Sequence, residues 1–446
     1  MGRVVIIGGG ISGLSTAYYL HKAGVSCQIV EARPRLGGVI QTERIEGCLV
    51  EAGPDSFIAA KPWAFELIRE LGLEGEIIGS NDHLRKTYIW KSGRLVPLPD
   101  GLQLMIPTRV LPIVRSNLLG WRTKMRMGLE WFRKPKPVGD RSVAEFLEDH
   151  YGRESVDYLA EPLLAGVYGG EPEEMSAASV LARFVELEAR YGSLTKGVLR
   201  ERSPVQAPVF RTLRGGMSNL VAALEARIDP VVHGAADSIE RSGSGYRVRV
   251  KGDWIDAARV VVACPAWQGA SLIASLDGEL AALLTAIPYR DALTMALGYE
   301  MRDLPRPLNG FGFLVPRRER RGLVACTWVN TKFSHRTPEN LALLRCFLVP
   351  SQDSDETLVA AARQELKEIM GIEAAPKFSR VFRWPRSMAQ YTVGHGVRMS
   401  RIEDRMKALP GLLLAGNGYY GIGIPDCVRM GREVATSVSQ SLQRRV

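Results

Sequence analysis

Near its start the chain reads Gly8-Gly9-Gly10-Ile11-Ser12-Gly13, which fits GxGxxG on Gly8, Gly10 and Gly13. Glycine at the first position permits a tight turn. At the second it lets a pyrophosphate approach the backbone, and at the third it lets helix and strand pack closely. Glu31 follows Gly13 by eighteen residues, where a carboxylate can accept from ribose hydroxyls. Together these residues predict dinucleotide binding, with the phosphates on the free N–H groups of a helix N-terminus. A glycine-rich turn without a ligand would leave Glu31 without a role. No metal is expected: Cys27, Cys48, Cys264, Cys326, Cys346 and Cys427 form no CxxC and no close pairing with the six histidines. A zinc site or a disulfide framework is thereby disfavoured, and a reducing compartment is the default.

A second constellation follows Glu31: Ala32-Arg33-Pro34-Arg35-Leu36-Gly37-Gly38-Val39, then Glu51-Ala52-Gly53-Pro54-Asp55. A glycine pair so soon after the ribose acid resembles FAD enzymes of the amine-oxidase and glutathione-reductase-like superfamily; the plainer reading is an Arg-rich solvent loop. The far end matches independently. Gly411-Leu412-Leu413-Leu414-Ala415-Gly416-Asn417 reads as a buried strand running into a glycine, and Tyr419 to Ile424 as a tight turn. A helix is expected from about Pro425 to Leu442, with proline tolerated in its first turn and Asp426 complementing the dipole. The resemblance sets the N–H groups of Gly423 and Ile424 against the flavin N1/C2 edge, where negative charge appears on reduction. Relatives usually carry Asp after the Ala-Gly pair; Asn417 departs from that pattern and points to a narrower group.

That group is the porphyrinogen oxidases. Ala415-Gly416-Asn417-Gly418-Tyr419-Tyr420-Gly421-Ile422-Gly423-Ile424-Pro425-Asp426-Cys427 resembles the C-terminal signature of the FAD-dependent protoporphyrinogen oxidase family. So do Gly53-Pro54-Asp55-Ser56-Phe57, the stretch from Glu161 to Tyr168, that from Gly310 to Pro316, and that from Gln390 to His395. The blocks lie in order and span nearly the whole chain. The resemblance implies a non-covalent FAD held by the glycine turn, Glu31, Ala32, Arg33, Gly38 and Val39. Further FAD contacts fall to Gly53, Pro54, Asp55 and Ser56, to Ala236 and Trp384, and to Asn417, Ile422, Gly423 and Ile424. It implies a porphyrinogen cavity lined by Phe311, Gly312, Leu314, Thr327 and Phe347 on one side and by Leu163 and Gly166 on the other. Ordinary core packing is the alternative for each apolar residue. Asp55 is the candidate catalytic group: it could stabilise the pyrrole that loses hydride, or merely brace the turn after Pro54. For a propionate anchor the resemblance points to the neighbourhood of Thr87, where Arg85 is the candidate. Stepwise oxidation of protoporphyrinogen IX to protoporphyrin IX is then expected, with O2 as acceptor and H2O2 as product. The alternatives are the same oxidation of coproporphyrinogen III, another flavin oxidation on this fold, and a non-catalytic FAD-holding membrane scaffold. A homodimer and hand-off to a chelatase are further partners that the resemblance suggests.

These residues require elements to position them. Val4 to Ile7 has the β-branched composition of a buried parallel strand, Leu14 to Ala23 of a helix, and Val25 to Val30 of a second strand. Pro230 to Ile239 resembles the strand that contacts adenine, and Arg259 to Pro265 closes the same sheet. The fold class expected is α/β: a discontinuous Rossmann-like FAD-binding domain (1–85, 206–289 and 388–446), an inserted mixed β-sheet substrate domain (290–387) and an α-helical membrane-associating domain (86–205). Within the insert, Phe311 to Pro316, Leu323 to Val329 and Arg345 to Val349 read as strands, while Glu339 to Leu344 and Glu356 to Gly371 read as helical. From Leu102 to Pro137, apolar clusters with two tryptophans alternate with Arg109, Arg115, Arg122, Lys124, Arg126, Arg133, Lys134 and Lys136; Glu130 is the single acid. Such a surface suits an anionic membrane; a core helix pair with a solvated basic face would also give it.

Across 446 residues, hydrophobic residues at 46% and charged ones at 24% exclude a disordered chain and fit several domains. The net charge of +10 favours an anionic partner, but no nucleic-acid motif accompanies it and no nucleic acid is expected. No stretch reads as a membrane span, and the first strand begins too early for a cleaved leader. A cytoplasmic protein, peripheral on the inner face of the membrane, is the resulting expectation.

Overall fold

The computed structural model describes residues 3–135, 139–201 and 208–443. Lys136 and Pro137 of the basic stretch, and the expected boundary at 205–206, lie outside the described residues. Val4–Ile7 is the central strand of a five-stranded parallel sheet, between Cys27–Glu31 and Arg259–Val262, with Val232–His233 and Leu412–Leu414 at the edges. Val4 and Ile6 pack into one core with Leu14 and Leu20 of helix Ile11–Lys22 and Val428 of helix Ile424–Gln443. Val5 and Ile7 enter a second core on the opposite face with Val260, Val262 and Leu284. Both faces are covered, so the strand is apolar without alternation. The two helices meet closely at Gly431, where a Cβ would come within 2.8 Å of the Ser12 carbonyl oxygen.

Two expected elements shift. The second strand is Cys27–Glu31 rather than Val25 to Val30, and the first helix starts at Ile11, directly on the glycine turn. The stretch Pro230 to Ile239 is not one strand. It divides at Gly234, whose N–H donates to the Glu31 carbonyl: Val232–His233 joins the parallel sheet, and Ala236–Ser242 opens a small antiparallel sheet with Gly245–Val250 and Asp253–Ala257.

The insert is a seven-stranded mixed sheet in the order Phe378–Ala389, Tyr289–Glu300, Leu341–Leu348, Leu323–Trp328, Gly312–Leu314, Thr87–Lys91, Arg94–Pro97. Only the Gly312–Leu314 to Thr87–Lys91 pairing is parallel among these. Helix Asp355–Met370 covers one face through Leu358, Ala362, Leu366 and Ile369. Two expectations are corrected. Residues 339–344 are not helical: Leu341-Ala-Leu-Leu opens a buried central strand, and a short apolar run without periodicity does not distinguish the two. Residues 87–97, assigned by sequence to the helical domain, form a hairpin of this sheet, turned at Ser92-Gly93 where both φ angles are positive.

The helical part packs Val143–Tyr151, Glu161–Tyr168, Ala182–Tyr191 and Leu194–Arg200 around one apolar core. Ser142 and Glu145 close a capping box at the start of the first of these. In the basic stretch the apolar residues divide between core and surface. Met105, Ile106, Ile113, Leu118, Leu119 and Met127 are buried in the helical core, whereas Val110, Leu111, Trp121, Met125, Leu129 and Phe132 are exposed, Val110 to 80%. Among the described residues no helix is long and apolar enough to cross a membrane.

Candidate active site

A cavity of about 2080 Å³ runs from the carboxyl ends of the parallel strands to the mixed sheet and the helical part. At its first end the glycine turn is shaped by near-contacts. Gly8 has φ +112°, and a Cβ there would lie 2.9 Å from the backbone of Ala263. A Cβ on Gly13 would be 1.9 Å from the Gly8 carbonyl oxygen. Gly10 differs: a Cβ there would meet none of the described residues within 4 Å, because it would stand in the cavity. That is the cradle a pyrophosphate requires, and helix Ile11–Lys22 starts beside it. Glu31 lines the same space while its two oxygens accept from the Gly9 N–H at 2.6 Å and the Arg33 N–H at 2.8 Å. Each oxygen keeps a lone pair for a ribose hydroxyl.

The other expected cofactor residues converge on this cavity. Ile11, Ser12, Ala32, Arg33, Gly38, Val39, Gly53, Pro54, Asp55, Ser56, Ala236, Trp384, Asn417, Ile422, Gly423 and Ile424 all line it. Gly9 and Gly13 lie behind its wall and act through the backbone packing just described. Trp384 is fixed by its indole N–H donating to the Ala52 carbonyl at 2.9 Å. Asn417 donates to the Ser387 carbonyl at 3.0 Å, and its own carbonyl accepts from the Tyr391 hydroxyl at 2.8 Å. That hydroxyl also accepts from the Gly421 N–H at 2.7 Å, and the Tyr391 ring stacks on His395 at 4.2 Å. The C-terminal turn is therefore clamped, with the helix N-terminus at Ile424 opening on the cavity. Asp426 in that first turn accepts Lys61 through both oxygens, at 2.6 and 2.7 Å. Two thiols border the cavity, Cys264 half-buried and Cys427 buried; desolvation pushes Cys264 up to about 12 and Cys427 up to about 11. Neither offers a thiolate for covalent flavin attachment at neutral pH. The donor set fits a non-covalent FAD.

At its second end the cavity has many apolar side chains in its wall. Leu163 and Gly166 from helix Glu161–Tyr168 face it, as do Phe311, Gly312, Leu314, Thr327 and Phe347 from the mixed sheet. Arg85 does not: it stands outside the lining, half-exposed, 3.9 Å from Asp82. Asp55 lies at the junction of the two ends and is not isolated. Lys332 Nζ is 2.9 Å from its Oδ2, Arg345 Nη1 is 3.7 Å away, and the Ser56 hydroxyl donates to Oδ1 at 2.7 Å. Burial pushes this carboxyl up, but Lys332 and Arg345 outweigh it and hold the group well below the usual carboxylate range.

Sequence reasoning missed Lys61, Lys332 and Arg345. Lys332 and Arg345 follow Asp55 by more than 270 positions and reach it only through the fold. Arg345 alone carried a signal, as a charge in the middle of the apolar strand Leu341–Leu348.

Comparison with known proteins agrees with this geometry. The model of the flavin containing amine oxidoreductase family matches residues 11–439. The chain is 32% identical to a coproporphyrinogen III oxidase of Bacillus subtilis, covering 96% of each chain. It is 28% identical to human protoporphyrinogen oxidase, covering 98% of each. A crystal structure from Exiguobacterium sp. 255-15, provisionally named a protoporphyrinogen oxidase, superposes with a TM-score of 0.88 at 30% identity over 99% of both chains. Cyclohexylamine oxidase from Brevibacterium oxydans shares the fold, with a TM-score of 0.72 at 19% identity over 99% of both chains. A glycine turn open to a phosphate, an acid held for the ribose and a clamped helix N-terminus thus occur in a chain that matches one family along almost its whole length: it belongs to the flavin containing amine oxidoreductases, oxidoreductases whose cofactor here is FAD.

Proposed function

We propose that this protein oxidises coproporphyrinogen III to coproporphyrin III with O2 as acceptor, in heme biosynthesis. The sequence expectation placed protoporphyrinogen IX first. Full-length likeness to a bacterial coproporphyrinogen III oxidase supports the alternative instead. The observation that carries the reading is one continuous cavity, with an FAD cradle at one end and an apolar chamber at the other. A cyclic tetrapyrrole has apolar faces and carboxylate arms, and a chamber walled by Phe311, Leu314, Phe347 and Leu163 suits its faces. FAD supplies the two-electron acceptor that oxygen regenerates. The protein holds the macrocycle against it and keeps competing acceptors out. Removing six electrons and six protons in three rounds converts porphyrinogen to porphyrin and three O2 to three H2O2.

Assaying both porphyrinogens side by side tests the proposal. A higher kcat/KM for coproporphyrinogen III, with about three peroxides per porphyrin formed, is the expected result. Preference for protoporphyrinogen IX would restore the first expectation; turnover of neither would leave an FAD-holding protein of another role.

The exposed face of residues 109–132 supports peripheral attachment to an anionic membrane. Val110, Trp121 and Phe132 are exposed within it, as are Arg109, Arg115 and Arg122. We propose that it binds the inner face of the membrane as a peripheral protein.

A further inference from the structure

Five ionisable side chains are gathered where the cavity turns from the cofactor end to the apolar end. Lys332 and Arg345 flank Asp55, with side-chain exposures of 12%, 8% and 18%. Behind them Arg336 and Glu51, at 1% and 4%, pair at 2.8 Å. Three cations therefore face two carboxylates, and a surplus positive charge lies in a place of low dielectric. Burying an uncompensated charge is costly unless an anion joins it.

The surplus is directed at the cavity, not away from it. Lys332, Asp55 and Arg345 all line the chamber, whereas Arg336 and Glu51 do not. Arg336 is spent on Glu51 and on the Thr212 hydroxyl. Arg345 donates one guanidinium N–H to the Gly53 carbonyl, but its buried Nε has no hydrogen-bond partner among the described residues. Aromatic rings hold both cations in place: Lys332 lies 4.9 Å from the Phe210 ring and 5.1 Å from the Phe333 ring, and Arg345 lies 4.7 Å from the Phe347 ring. Phe347 is itself a wall of the apolar chamber, so the guanidinium stands at the edge of the surface on which a macrocycle would lie.

Resting on the porphyrinogen reading, we propose that Lys332 and Arg345 form a carboxylate subsite for one propionate arm of the substrate. Asp55 is the internal counter-ion that holds the two cations until that arm arrives. It acts as a positioning residue, and the anchor sought at Arg85 lies here instead. An incoming carboxylate shares Lys332 with Asp55 and brings the cluster to three anions against three cations.

The test is equilibrium binding of coproporphyrin III, the stable oxidised product, and of its tetramethyl ester to the FAD-loaded protein. Lys332→Gln should weaken binding of the free acid by about ten- to a hundred-fold and leave the ester unchanged, as loss of one charged hydrogen bond implies. Lys332→Arg should restore most of the affinity. Asp55→Asn should tighten the free acid several-fold, since the competing anion is gone and the acceptor for Lys332 remains. Unchanged binding of the free acid by FAD-loaded Lys332→Gln, or equal loss of acid and ester, would overturn the proposal. A changed flavin potential with porphyrin affinity intact would overturn it too, by assigning the charge to the cofactor. If Lys332→Gln fails to retain FAD, Asp55→Asn decides alone, and no tightening refutes the subsite. Wild-type protein that binds neither porphyrin would overturn the porphyrinogen reading and this subsite with it.

Discussion

Gly10 and Asp55 show how differently two residues of one site respond to change. At Gly10 the backbone has φ −71° and ψ 177°, an extended conformation open to any residue, and a Cβ would meet none of the described residues within 4 Å. Gly10→Val should therefore purify without FAD and melt near the temperature of wild-type protein stripped of FAD. Yellow protein from that variant would contradict the cradle. Asp55 is the opposite case, since its removal strands two buried cations. Asp55→Ala should cost about 3–5 kcal/mol of stability in denaturant unfolding, the range for breaking a buried pair; a loss under about 1 kcal/mol would mean that Lys332 and Arg345 find other partners. The pH dependence follows from sign. The folded carboxyl is held below its unfolded value, so its contribution is complete above the ordinary carboxylate range and fades as pH falls below about 4. The sequence alone raised two roles for Asp55, charge stabilisation and turn bracing. Its ion pairs add a third, which no local pattern could have indicated.

At the scale of elements, Glu130 explains why the basic stretch lies where it does. It is 1% exposed and accepts from the Ser193 hydroxyl at 2.8 Å and the Leu194 N–H at 2.6 Å, with His150 Nδ1 at 3.0 Å. Burial raises its carboxyl, but the His150 and Ser193 contacts outweigh it and hold it below the usual value. The single acid of that stretch is thus the pin that joins it to helices Val143–Tyr151 and Leu194–Arg200. Glu130→Ala should lower stability by about 3–5 kcal/mol in urea unfolding, and a change under about 1 kcal/mol would remove the pin. The cations on the same stretch are not equivalent. Lys124 donates to the carbonyls of Val114 and Ser116, and Arg126 to that of Asp149, so both brace the fold. The membrane proposal is better tested at Arg109, Arg115 and Arg122. Replacing all three by Gln should reduce sedimentation with anionic vesicles, more at low salt than at high; unchanged sedimentation at every salt would make this face core cover or a protein interface. Sequence patterning found the amphipathic character of this stretch but not which residues turn inward, because its short elements follow no sustained period.

Over the whole molecule, what was legible in the sequence was what local chemistry dictates. The glycine turn, Glu31 and the C-terminal turn each have a spacing that admits few other uses, and they meet in one cavity although more than 380 residues separate the two turns. The hairpin of residues 87–97 and the strand Leu341–Leu348 were misplaced because their roles depend on neighbours far away in the chain. The cations around Asp55 were invisible for the same reason. The central claim is that this fold brings a reducing tetrapyrrole to FAD, and anaerobic rapid mixing tests it most directly. Mixed with coproporphyrinogen III in the absence of oxygen, the FAD-loaded protein should lose its visible flavin absorbance within one turnover, faster than with protoporphyrinogen IX, and regain it when oxygen is admitted. Flavin that stays oxidised with both porphyrinogens would contradict the account.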